Sequence, residues 1–145
     1  MNQKTPRWIS ILLWILAAMY LANGIEMFFV PGIWFFRLVP GVPETGPFNA
    51  HLVADSGTFY LGLAVGLVFA ALDARRHAVA VVIAAVASLM HSILHIYSHE
   101  AGLLSYQHVL TEMVGIYIPT IALWLLAFIL MRPQREAASA ALRTA

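Results

Sequence analysis

The chain has 145 residues, 61% of them hydrophobic and only 10% charged, against about 25% charged residues in an ordinary soluble domain, so its composition is that of a membrane protein. A net charge of +1 gives no reason to expect nucleic acid as a partner. The absence of cysteine excludes disulfides, thiolate metal sites, iron–sulfur clusters and a cysteine nucleophile.

Four apolar runs are long enough to cross a hydrocarbon core, which needs about 20 residues. Each must be helical, because lipid offers the backbone no hydrogen-bond partners. The first, Trp8–Val30, follows Lys4 and Arg7 as a signal-peptide core would. It is longer than such a core and lacks a small-x-small cleavage site, so it reads as a retained anchor and first span. Near its far end it carries Asn23 and Glu26, three residues apart. The connection Pro31–Asn49 holds four prolines, three glycines and the aromatic run Trp34, Phe35 and Phe36, and predicts a structured loop dipping into the interface.

The second span, Ala50–Leu72, opens with His51 and Asp55. Its G-x-x-x-G at Gly62 and Gly66 predicts close helix packing inside the bundle, with a homodimer face as the alternative. A tight polar turn, Asp73–His77, leads to the third span, Ala78–Tyr97, which is alanine-rich at its start and carries His91 and His95. In the short connection that follows, His99 is placed just past the membrane and Glu100 in solvent. The fourth span, about His108–Met131, begins with His108 and Glu112, and Pro119 is expected to kink it. The tail Arg132–Ala145 is assigned no function. The fold predicted is a single transmembrane domain, an all-α four-helix bundle.

Lysine and arginine placement orients it. Seven of the eight basic residues lie at the termini and in the 73–77 turn, and only Arg37 lies in the other connections. By the positive-inside rule both termini are cytoplasmic. The ionisable residues then gather near the extracytoplasmic side. An ionisable group inside a span costs about 2.5–3.5 kcal/mol and is by default a functional-site candidate.

His51/Asp55, His91/His95 and His108/Glu112 are all i, i+4 pairs, and residues so spaced share a helix face. Polar faces are expected to turn inward and converge, as in bundles that build metal sites. The first expectation is a transition-metal site (Zn, Fe, Mn or Cu) with ligands among His51, Asp55, His91, His95, His108 and Glu112. Glu26 and Glu112 are the candidate acids or bases, and Asn23 a supporting group. Such a site would act on a lipid-soluble substrate entering between helices. The alternatives are a metal-free proton or hydrogen-bond network in an accessory subunit, and a haem or quinone site. Ion permeation is a third, opposed by the nearly pure apolar cytoplasmic halves of spans two to four. Tyr20 and Tyr117 lie deep enough to line a cavity. The partners expected are the lipid bilayer, a hydrophobic small molecule, and a second copy or a membrane-complex partner.

The stretch "VPGVPETGPFNAHLVADSGTFYLG", preceded by Trp34–Phe35 and followed by His91 and His95, resembles a family of small four-span bacterial inner-membrane proteins. The matching residues are Thr45–Asn49, His51, Asp55 and Gly57. Ser56 stands where that pattern has a branched apolar residue. The family is loosely similar in size and span number to DoxX-like proteins, some of which work with quinones or as subunits of redox complexes. The resemblance implies an inner-membrane location and gives His51 and Asp55 a place in the family pattern.

Overall fold

The computed structural model describes residues 5–132, which form an all-α bundle with no strand among them. Four helices are long and apolar enough to cross a membrane: α1 (Arg7–Phe29), α2 (Ala50–Leu72), α3 (Ala78–Glu100) and α4 (Tyr106–Met131). Large apolar side chains such as Phe29, Phe59, Leu72 and Leu110 project outward from it. Helices apolar on every side suit lipid, so the chain is a multi-pass membrane protein in contact with the bilayer. Lys4, Arg135 and Arg143, three of the charges used to orient it, lie outside the described residues.

Local chemistry fixes the helix starts and turns. Asn49 is extended and its side-chain oxygen accepts from the Leu52 N–H at 3.1 Å, capping α2 where the first amides have no helical partner. The Asp73 carboxylate accepts from the Arg76 N–H at 3.2 Å and closes the α2–α3 turn. On that side the bundle is sealed by Leu13, Leu16, Leu67, Val81, Leu123 and Leu126, each at most 2% exposed.

α1 lies against α2 along much of its length. The close approach is made by Gly24 and Gly57. A Cβ on Gly57 would sit 2.9 Å from the Phe28 backbone nitrogen, and one on Gly24 would sit 2.9 Å from that of Leu61. Of the close packing expected of Gly62 and Gly66, the structure has the Gly66 part, against Ala80 of α3, and not the Gly62 part. A Cβ on Gly62 meets nothing within 4 Å and one on Gly66 meets only the Ala80 Cβ at 3.4 Å. Gly57→Val is therefore expected to cost about 1–3 kcal/mol, as overpacking does, while Gly62→Ala leaves thermal unfolding unchanged. Equal loss in both variants would refute this assignment of the contact.

Two departures from the sequence expectation position the site. α3 continues past Tyr97 to Glu100, which brings His99 into the bundle. α4 is composite: a 3-10 turn Tyr106–His108, an α turn Val109–Glu112, a π turn Met113–Tyr117 and the regular helix Ile118–Met131. Pro119 has no N–H for the Gly115 carbonyl, four residues before it. The expected kink takes the form of that π turn, in which the Ile118 N–H bonds to the Met113 carbonyl. Such widenings are frequent at functional sites.

The α1–α2 connection is indeed structured. It runs through a helical turn Pro31–Ile33, a π turn Trp34–Leu38 and a 3-10 turn Val42–Thr45. Phe35 is buried in a small core with Met27 and Val53. The Trp34 indole donates to the Asn23 side-chain oxygen at 2.7 Å. The connection forms a roof over one end of the bundle.

Candidate functional site

The buried face of α3 beyond its middle runs through Ser88, Ser92 and His99, with His95 between the last two. Steps of four, three and four residues keep Ser88, Ser92, His95 and His99 on one helical face. Glu112 stands opposite the outer part of that face, on the last turn of α4 before the π widening, with its side chain 7% exposed.

His99 is held at both ring nitrogens. Nδ1 lies 3.1 Å from the Leu104 carbonyl and Nε2 lies 2.7 Å from Glu112 Oε2. A carbonyl only accepts, so Nδ1 carries a proton and donates it. The Nε2–Oε2 contact then holds one further proton, either as imidazolium with carboxylate or as imidazole with carboxylic acid. Both forms are neutral overall, and the proton belongs to the pair. Tyr106 stacks on the His99 ring at 4.8 Å and donates its hydroxyl to Glu100 at 2.8 Å. The Tyr117 hydroxyl approaches Glu112 Oε2 at 3.5 Å.

His95 is different. Its Nδ1 lies 3.3 Å from Glu112 Oε1 without the alignment of a hydrogen bond, and is buried with no partner among the described residues. Buried polar atoms are nearly always satisfied, so an exception points to a missing partner. His95 and Glu112 line one end of a cleft of about 660 Å³. Trp34, Phe35 and Pro40 of the roof and Leu52 and Val53 of α2 make much of the rest. That volume is in the range of about 300–1,000 Å³ typical of small-molecule sites. No lysine or arginine is among its described lining residues. From His95 the polar line continues inward. The His91 ring meets it edge to face at 4.7 Å, and His91 Nδ1 lies 3.1 Å from the Tyr60 hydroxyl.

Of the residues expected from the sequence, the structure brings His91, His95 and Glu112 together and leaves the others apart. His51 and Asp55 pair with each other at 3.3 Å, with side chains 87% and 55% exposed. The buried stripe of α2 passes through Val53 and Gly57, and a residue two positions away points about 200° round the helix. His108 pairs with Glu44 at 2.8 Å. Glu26 is half-buried and its side chain makes no hydrogen bond or ion pair with the described residues, and Asn23 serves the roof. The six-ligand cluster of His51, Asp55, His91, His95, His108 and Glu112 is therefore not formed. Among the described residues no group of three or more His, Asp or Glu is placed to hold a metal ion. An i, i+4 spacing fixes a shared face and leaves its direction open.

His99 was readable as the next step of the 91/95 register and was lost only by ending the span too early. Glu44 had no sequence signal, being 64 residues from its partner. It latches the roof to the start of α4: Oε1 meets His108 Nε2, and Oε2 accepts from the Ser105 N–H at 3.0 Å. Gly41 permits this approach, since its φ is +86° and a Cβ there would lie 3.0 Å from the His108 ring.

The His108 hydrogen bond, with the Ser105 amide, lowers the Glu44 pKa below the usual carboxylate value. A carboxyl whose folded pKa is depressed contributes stability above its unfolded pKa and loses it as pH falls through the folded one. Glu44→Gln should thus lower the unfolding temperature at neutral pH. The difference from the parent should close as pH falls from the ordinary Glu range through the lowered value. A pH-independent difference in a thermal-unfolding series would sink the latch. No protein-family model, curated protein or solved structure matches the chain, so geometry alone carries the functional assignment.

Proposed function

We propose that the protein binds an uncharged, lipid-soluble molecule in the roofed cleft, with an oxygen headgroup seated on His95 and Glu112. The observation that carries this is the largely apolar cleft lined at one end by His95, whose side chain is 21% exposed, and by Glu112. A carbonyl headgroup accepts from the ring N–H, and a hydroxyl donates to the carboxylate oxygen. An anionic headgroup fits poorly, because the acidic Glu112 lines the cleft and no lysine or arginine is among its described lining residues. The quinone implied by the family resemblance is one molecule of the favoured class. The basic residues of the termini and the 73–77 turn support a cleft on the extracytoplasmic side of a bacterial inner membrane.

Protein purified in mild detergent without chelator tests this directly. Its organic extract should contain a near-stoichiometric molecule with a carbonyl or hydroxyl group, lost from His95→Phe. An extract holding only bulk phospholipid in the same amount from both proteins would refute it. One geometric fact favours a second reading: His95 Nδ1 and Glu112 Oε1, 3.3 Å apart, are two donors that suit a transition metal, with further ligands from water or the occupant. About one equivalent of a single metal in the same sample, lost in His95→Ala, would replace the first reading with that one.

A further inference from the structure

A second polar space lies deeper, beyond His91. It has a volume of about 60 Å³, opens outward beside Gly115, and is lined from all four helices: Tyr20 and Asn23 of α1, Tyr60 of α2, Ser88 and His91 of α3, and Thr120 of α4. Polar groups from all four helices meet here, and of them Asn23 and His91 belong to the polar faces expected from the sequence to converge.

These groups have more hydrogen-bonding capacity than the protein uses. The Tyr20 hydroxyl is bonded to Ser88 Oγ, and its ring stacks on Tyr60 at 5.5 Å. The Tyr60 hydroxyl engages one His91 nitrogen, leaving the other ring nitrogen without a partner among the described residues. Asn23 uses its oxygen on Trp34, and its amide N–H groups have no acceptor among those residues. A tyrosine hydroxyl both donates and accepts, and an amide donates twice. Hydrocarbon satisfies none of this, and an unmet polar group is costly there. Apolar cavities of this size stay dry, whereas polar ones with two to four partners hold water, each molecule needing about 10–15 Å³ of such space.

We propose that this central cavity is a binding site for water, holding one to a few molecules between His91, Tyr60 and Asn23. The water makes His91 the wet inner end of a polar line that passes His95 and ends on Glu112 and His99. The leucine and valine core between the cavity and the 73–77 turn closes the other direction. The site does not depend on what occupies the cleft.

Solid-state NMR on the full chain in lipid nanodiscs, with ¹⁵N-labelled histidine, reads it. Polarisation transferred from water should reach the His91 ring as readily as it reaches exposed His51, and far sooner than it reaches His99, which is enclosed with both nitrogens bonded. Ser88→Leu, which fills the cavity, should abolish the transfer to His91 and leave His51 unchanged. Two results on the parent protein alone would overturn the proposal. One is a His91 ring as isolated from water as His99. The other is transfer from lipid acyl chains in its place, meaning that a chain enters beside Gly115.

Discussion

Glu112→Ala is expected to cost about 3–5 kcal/mol, the loss typical of breaking a buried ion pair by removing one member. Glu112 bonds His99 at 2.7 Å and stands 3.3 Å from the His95 ring. Its removal takes the partner of His99 Nε2 out of the buried outer half of the bundle. Glu112→Gln keeps the volume and one acceptor oxygen, and should cost less. Asp55→Ala removes a carboxylate with the same i, i+4 histidine spacing but an outward direction. It should fall within about 0.5 kcal/mol of the parent, as surface changes do. Unfolding in detergent, followed by circular dichroism, compares the three. If Asp55→Ala proved as damaging as Glu112→Ala, the division of the histidine–acid pairs into one buried site and one surface pair would be wrong.

The second large effect concerns the cleft. His95→Phe keeps a planar ring of similar size and removes the nitrogen that faces the headgroup. Leaving the headgroup's oxygen buried and unsatisfied costs about 1–3 kcal/mol. At 1.4 kcal/mol per decade that is roughly a 5- to 140-fold loss of affinity. Ser56→Trp places a large ring in the cleft from α2 and should remove the occupant altogether. Both are read as the amount of extractable lipid-soluble molecule per mole of folded protein. Occupancy unchanged in both variants would place the molecule outside the cleft.

Composition and run length made the four spans legible, with the start of α2 at Ala50, because those signals are local. Helix rotation was not legible from paired polar residues. On α2 it is dictated by the small and apolar stripe through Val53, Gly57, Ala64 and Leu67, which packs inward and carries His51 and Asp55 outward. On α3 the same rule works in favour of the site, since Ser88, Ser92 and His99 are themselves the buried stripe. The roof latch joins residues more than sixty positions apart and obeys no spacing. The cavity residues Tyr60, Ser88 and Thr120 are uncharged, so a search led by ionisable groups passes over them. They matter because a neutral hydroxyl in hydrocarbon also needs a partner, although it costs far less than an ion when left without one.

The leucine core beneath the proposed water site also sets how far a charge entering from the roofed face would travel through the membrane potential. Tyr20 is nine residues below the end of α1, about 14 Å at ~1.5 Å per residue, or roughly half of a hydrocarbon core ~30 Å thick. A proton moving from the roofed face to that depth crosses only that share of the potential. A full crossing is worth about 2.3 kcal/mol per 100 mV, so this one is worth roughly half as much. A charge reaching the proposed water site from the roofed face is therefore biased by less than tenfold per 100 mV.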